Sequence, residues 1–201
     1  MEMKILRNDS NENATTNNTL DVLALTAISS ALLIAFYYQL VFNELPCPLC
    51  LLQRVGLILA GIGFAMNVRY GVRGAHYCCV LVSAVATGVI SGRQVLLHIS
   101  PDSGAYGSAL WGLHFYTWCF IASVLIILYV SLLLSVRRTS NTVQPVSMST
   151  SGRIAMAVFG LTIIANLVST LLECSVGQCA SDPVVYELLE HFRNNLAFRN
   201  V

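Results

Sequence analysis

The chain has 201 residues and a formal net charge of +1; 56% of its residues are hydrophobic and only 10% are charged. Soluble globular domains carry about 25% charged residues, so this composition excludes an ordinary soluble domain and favours an integral membrane protein. The small net charge gives no indication of a nucleic-acid partner.

Five apolar stretches follow a polar N-terminal segment. Residues 1–19 are rich in Asn, Thr and acidic side chains, and we expect them to form a disordered tail. A helix of about 20 apolar residues crosses the hydrocarbon core of a bilayer. We therefore predict an all-α integral membrane protein with spans at residues 20–42, 49–66, 77–97, 113–136 and 154–172.

The first four spans predict a four-helix transmembrane bundle over residues 20–136. The Ser/Thr-rich segment 137–153 predicts a linker, so the fifth span, 154–172, is expected to be an addition to this bundle. In the tail, 173–201, Asp182 and Pro183 are typical of a helix start. Apolar residues then recur at helical spacing and predict a short amphipathic helix. This helix could lie on the membrane surface or pack against protein.

The basic residues predict the orientation of the spans. Seven of the 11 Lys and Arg residues lie before the first span, between spans two and three, or between spans four and five. The positive-inside rule makes these segments cytoplasmic. The N-terminus is then cytoplasmic, and the C-terminus lies on the opposite side.

Two cysteine pairs would share this non-cytoplasmic side. Cys47 and Cys50 form a Cys-Pro-Leu-Cys unit before span two, and Cys174 and Cys179 follow span five. A cysteine at a helix start favours the thiolate, the form that attacks disulfides. Thiol redox chemistry is the preferred interpretation; two structural disulfides or a four-thiolate metal site remain alternatives. Three further cysteines, which lie in or at the ends of the spans, are expected to be inert: Cys78, Cys79 and Cys119.

Basic and polar side chains lie near the first pair. Arg54 follows Cys50 by four positions, so both occupy one helix face. An arginine inside lipid is costly and usually functional, although snorkelling to the interface is the alternative. Arg93 and Gln94 close span three at the same membrane level, where Arg93 is either a second cation or an interfacial anchor.

The tail pair favours exchange over stabilisation. Four residues separate Cys174 from Cys179, and a small ring contributes little cross-link entropy. A structural staple remains the alternative.

The segment Cys47-Pro-Leu-Cys50-Leu-Leu-Gln-Arg54 resembles the Cys-x-x-Cys-x-x-x-Arg signature of the DsbB family of membrane thiol:quinone disulfide oxidoreductases. Pro101 and the Gly112–Trp118 segment are also similar, and the resemblance covers residues 20–136. It implies a bacterial inner-membrane enzyme whose bundle binds a quinone (ubiquinone or menaquinone) beside the CxxC. The candidate quinone-binding residues are Arg54, Arg93 and Gln94.

The resemblance also implies an electron path. A periplasmic DsbA-like thioredoxin-fold protein would reduce a second cysteine pair, which exchanges with Cys47, while Cys50 faces the quinone. This sequence departs from the family, whose second pair usually lies between spans three and four; here only Cys174 and Cys179 can take that role. The alternatives are a non-catalytic metal-binding or disulfide-stapled membrane protein, and a quinol-driven reductase resembling the vitamin K epoxide reductase group.

Overall fold

The computed structural model describes residues 2–99, 107–136, 148–175, 177, 179, 185–191 and 193, with side chains from Thr19 onward. Five helices dominate this part of the chain. They are α1 (Glu2–Val41), α2 (Pro48–Tyr70), α3 (Gly74–Leu97), α4 (Phe115–Val136) and α5 (Thr150–Cys174).

All five predicted spans are confirmed as helices. Among the described residues, five helices are long and apolar enough to cross a membrane: Thr19–Val41, Pro48–Tyr70, Gly74–Leu97, Phe115–Val136 and Thr150–Cys174. Many large apolar side chains on their outer faces are exposed, such as Leu125, Leu128 and Leu132 on α4. Such a surface suits lipid, which solvates apolar side chains as a protein interior does.

The N-terminal segment differs from the expected disordered tail. The backbone of α1 is helical from Glu2, so the helix extends well before the apolar span. Extending a helix that already exists needs no new nucleus, which accounts for helical backbone in a polar sequence.

The fifth helix belongs to the bundle. It packs against α1 and α2, while α3 packs between α2 and α4. Ala155 and Phe159 of α5 join the same buried cluster as Leu25 of α1 and Phe64 of α2. The inner face of α5 therefore helps to fill the core that it shares with the first four helices.

Local signals define the starts of α2 and α5. Cys47 is the N-cap of α2, its sulfur accepts a hydrogen bond from the Cys50 N–H, and Pro48 occupies the first turn. Ser149 caps α5 by accepting from the Gly152 N–H. The polar cap lengthens α5 beyond the apolar stretch that hydropathy detects.

A short hairpin, which the sequence reading did not predict, precedes α4. Strand β1 (Ala109–Leu110) pairs antiparallel with β2 (Leu113–His114). Trp111 and Gly112 form the two-residue turn, with φ values of 52° and 80°. Positive φ at both positions is typical of the hairpin turn that matches strand twist.

Parts of two predicted segments lie outside the described residues. These are residues 137–147 of the linker and the Asp182-Pro183 start of the amphipathic tail helix. Within that predicted helix, residues 187–191 and 193 are helical.

Candidate functional site

The thiols of Cys47 and Cys50 lie together at the N-terminal end of α2. The Cys50 N–H donates to Sγ of Cys47 at 3.2 Å. Cys47 is buried, Cys50 is partly buried, and both are free thiols. The arrangement brings one sulfur to the unpaired N–H groups of a helix start, as the sequence predicts.

A glutamine from α3 joins this pair. Nε2 of Gln94 donates to Sγ of Cys47 at 3.4 Å and to Sγ of Cys50 at 3.6 Å. Gln53 fixes its orientation by donating from Nε2 to Oε1 of Gln94 at 2.6 Å. Gln94 therefore contacts the thiols themselves, in addition to the quinone-binding role that the resemblance implies.

These hydrogen bonds make Cys47 the more acidic thiol. The hydrogen bond with the Cys50 side chain, helped by the Cys50 backbone N–H and the Gln94 amide, lowers the pKa of Cys47 to about 6. Burial opposes this shift but does not overcome it. The lowered pKa of Cys47 favours its thiolate, the form required for exchange.

Arg54 holds a buried polar cluster between three helices. Its Nη1 donates to Oε1 of Gln39 at 2.7 Å and to Oδ1 of Asn166 at 3.3 Å. Its Nη2 donates to the Ala35 carbonyl at 3.3 Å. Guanidinium has five N–H donors, so the described contacts leave donors for a thiolate or an acceptor oxygen. The side chain is held inward and does not snorkel.

One face of α5 completes this cluster. Asn166, Ser169 and Glu173 are buried and follow one another at helical spacing. Ser169 Oγ accepts from Nε2 of Gln39 at 2.7 Å. Tyr186, from the tail, accepts from the same Nε2 at 3.4 Å. Residues of α5 and the tail thus contribute to the surroundings of Arg54.

A cavity of about 150 Å³ opens beside Cys50 and Arg54. Most of its lining is apolar or aromatic, and polar side chains are concentrated near the cysteine. Its lining includes Ala35, Tyr38, Gln39, Glu44, Cys50, Gln53, Arg54, Phe115, Tyr116, Trp118 and Cys119. An apolar pocket with a few convergent polar groups is the usual form of a small-molecule site.

Two loop residues, Glu44 and Gly107, also line this cavity. Glu44, before α2, accepts hydrogen bonds from the Ser108 N–H at 3.0 Å and from the Ser108 hydroxyl. Trp118 donates from Nε1 to the Leu110 carbonyl at 2.9 Å, which anchors the hairpin to α4. The hairpin is therefore held against the start of α4, whose residues Phe115, Tyr116 and Trp118 line the cavity.

The remaining predicted residues are placed as follows. A disulfide joins Cys174 to Cys179. Arg93 is exposed and borders a separate groove with Gly92 and Phe120, between α3 and α4. The structure thus does not bring Arg93 to the cavity beside Cys50, because consecutive helix residues point about 100° apart. Only its neighbour Gln94 faces the thiols.

The sequence analysis missed four residues of the site: Gln39, Asn166, Ser169 and Glu173. Each is polar and lies in or at the end of an apolar span. Polar residues in such spans usually face the bundle interior, and this signal could have identified them.

The fold and the site together define a class: an all-α membrane protein with two free thiols beside a largely apolar cavity. Residues 17–107 match the family model described as "Disulfide bond formation protein DsbB". This match contains Cys47, Cys50, Arg54 and Gln94. Over this segment, which is a little under half of the chain, the sequence is similar to the DsbB family.

Curated relatives show a similarity of comparable extent. The chain is 43% identical over 93 residues to "Disulfide bond formation protein B 1" of Pseudomonas savastanoi pv. phaseolicola, covering 42% of this chain and 51% of the relative. It is 40% identical over 91 residues to "Disulfide bond formation protein B" of Pseudomonas syringae pv. tomato, covering 42% and 51%. The chain spans about half the length of these relatives. No solved structure matches.

Proposed function

We propose that the protein is a membrane thiol:quinone oxidoreductase that serves protein disulfide-bond formation. The observation that carries the proposal is the position of Cys50 and Arg54 on one face of α2, both lining the same cavity. This arrangement joins a thiol that can give up electrons to a cation that can stabilise the resulting negative charge.

The residues of the cavity suit a quinone. Tyr38, Phe115, Tyr116 and Trp118 offer flat apolar surface for a ring. Arg54 offers N–H donors for a carbonyl oxygen, beside the sulfur of Cys50. When bound, a quinone supplies an acceptor for two electrons and two protons.

The residues around the cavity have separate roles in the proposed reaction. Cys47, as the acidic thiol, exchanges with the second pair, while Cys50 faces the cavity. Gln94 orients both sulfurs, and Gln39 and Asn166 hold Arg54 in place.

The second pair is Cys174–Cys179. The proposed electron path runs from a periplasmic DsbA-like thioredoxin-fold dithiol to this disulfide, then to Cys47–Cys50, and then to the quinone. Support comes from Glu173, the neighbour of Cys174, which interacts electrostatically with both Cys47 and Arg54. The tail pair therefore begins close to the CxxC, which favours a relay over a remote staple.

The location follows from the same reasoning. The basic residues favour an N-terminus in the cytoplasm and a C-terminus in the periplasm. A multi-pass protein of the bacterial inner membrane would then expose both cysteine pairs to the oxidising compartment.

The four-cysteine metal alternative is less favoured. Cys174 and Cys179 are joined as a disulfide, so their sulfurs are not available as thiolate ligands.

The test mixes purified, oxidised protein with a reduced thioredoxin-fold oxidase and a short-chain quinone, and follows quinone absorbance. The proposal predicts catalytic loss of the quinone signal, and none with Cys50→Ser. If Cys50→Ser consumes quinone at the normal rate, the proposed path to the cavity is wrong.

A further inference from the structure

Glu173 is a buried carboxylate with no apparent structural task. It lies one residue before Cys174 at the end of α5, and only 2% of its surface is exposed. Both of its carboxylate oxygens are buried and lack a hydrogen-bond partner among the described residues. Because buried polar groups are almost always paired, such an exception needs an explanation.

The groups that face Glu173 belong to both halves of the proposed relay. From α2 and its N-cap, Arg54 and Cys47 interact with it electrostatically. The tail contributes Cys174 as its neighbour in sequence, and Tyr186 interacts with the same Arg54. Glu173 therefore adjoins Cys174 in the sequence, lies on the face of α5 that meets Gln39 and Arg54, and is near enough to Cys47 to interact with it electrostatically.

Exchange between two cysteine pairs moves protons as well as electrons. An attacking thiol must lose its proton, and a departing sulfur must gain one unless its charge is stabilised. In a site that excludes water, a side chain is required to carry that proton. We propose that Glu173 carries protons between the Cys174–Cys179 and Cys47–Cys50 pairs during their exchange, which rests on the proposed function.

The step balances as follows. The reduced tail pair gives a proton to Glu173, and the resulting thiolate forms an S–S bond to Cys47 while the Cys47–Cys50 bond breaks. The second tail thiol, losing its proton in turn, then closes the tail disulfide and releases Cys47. Two electrons reach the Cys47–Cys50 pair: Glu173 returns the first proton to Cys50, Cys47 departs as its thiolate, and Glu173 keeps the second proton.

The reverse half of this exchange can be measured without quinone or a protein partner. In purified Cys50→Ser, the Cys47 thiolate attacks the intact tail disulfide, forms a mixed disulfide and releases one tail sulfur. Rapid alkylation with N-ethylmaleimide, followed by peptide mass spectrometry under non-reducing conditions, gives the rate. We expect a bell-shaped pH profile in which Cys47 sets the rising limb and Glu173, as proton donor, the falling limb.

Adding Glu173→Gln to the Cys50→Ser variant should lower the rate of mixed-disulfide formation at neutral pH by about 10²-fold, the size of a general acid contribution. It should also remove the falling limb. Gln has the same shape without the charge, so folding is retained. Glu173→Asp should restore part of the rate and the bell shape. The matched control is Glu187→Gln, because Glu187 is an exposed carboxylate in the helical tail segment 187–191.

The outcomes separate the two claims. If Glu173→Gln leaves both the rate and the pH profile of Cys50→Ser unchanged, the proton-carrier proposal is overturned and the relay stands. If Cys50→Ser forms no mixed disulfide with either tail cysteine, the relay itself is overturned, and with it the role of Glu173.

Discussion

Arg54 on α2 donates a 2.7 Å hydrogen bond from Nη1 to Oε1 of Gln39 on α1. Gln39 in turn donates from Nε2 to Oγ of Ser169 on α5 at 2.7 Å. This chain of contacts joins three helices around one cation. Helix α5 lies beyond the segment 17–107 that matches the family model. The polar surroundings of Arg54 therefore include side chains, Asn166 and Ser169, from outside that segment.

Replacing Arg54 tests its role at the cavity. Arg54→Ala should lower quinone turnover by about 10²-fold, the usual cost of removing one electrostatic stabiliser. Dithiol exchange at Cys47 should be largely retained, because that sulfur is held by Gln94 and the Cys50 N–H. Arg54→Lys should rescue only in part, since ammonium lacks the planar fork. Stopped-flow quinone absorbance and thiol alkylation measure the two steps separately.

Arg153→Ala is the control, because Arg153 is an exposed cation in the first turn of α5. Normal quinone kinetics in Arg54→Ala would show that the arginine only anchors the helices.

A pair of glycine variants tests the packing of α5. A Cβ at Gly61 of α2 would lie 2.4 Å and 2.5 Å from two ring atoms of Phe159 on α5. Gly61→Ala should therefore destabilise the protein by about 1–3 kcal/mol, the usual cost of overpacking. Thermal unfolding in detergent, followed by circular dichroism, measures the effect.

Gly160→Ala is the matched control. Gly160 follows Phe159 in α5, and a Cβ at this position would have no atom within 4 Å. Equal melting temperatures for the two variants would contradict the packing of α5 on α2.

The acidity of Cys47 predicts a pH dependence of alkylation. Only the thiolate reacts, so with a pKa of about 6 the rate should rise through pH 6 and level off above it. The hydrogen bond with the Cys50 side chain lowers the pKa of Cys47 more than any other contact, and Cys50→Ala removes it. The pH midpoint of Cys47 alkylation should therefore move upward, towards that of an ordinary thiol. Iodoacetamide labelling of the reduced protein, read by peptide mass spectrometry, gives both midpoints. An unchanged midpoint in Cys50→Ala would assign the acidity to another cause.

Hydropathy predicted the existence of each span but not its ends. The second span, predicted at residues 49–66, is the helix Pro48–Tyr70, and the fifth, predicted at 154–172, is Thr150–Cys174. The missing residues are polar ends such as Asn67–Tyr70 and Thr150–Arg153. A hydropathy pattern stops where polarity begins, whereas the helix continues until its caps.

The candidate site was predictable where spacing alone sufficed. Four positions place Cys50 and Arg54 on one helix face, and the structure agrees. Contacts between helices that are far apart in the sequence were not predictable in this way. Arg54, for example, donates a hydrogen bond to Asn166, which lies 112 positions further along the chain. The adjacent pair Arg93 and Gln94 shows the same limit, because only packing decides which of two neighbours faces inward.

The central claim is that Cys174–Cys179 and Cys47–Cys50 form one electron path. The most direct measurement compares quinone absorbance in wild type and Cys174→Ser/Cys179→Ser, each supplied with either a reduced thioredoxin-fold protein or dithiothreitol. We predict that wild type consumes quinone with both donors. The double variant should do so only with dithiothreitol, which reduces Cys47–Cys50 directly. If the double variant oxidises the protein donor at the wild-type rate, the tail disulfide is only a staple and the relay is contradicted.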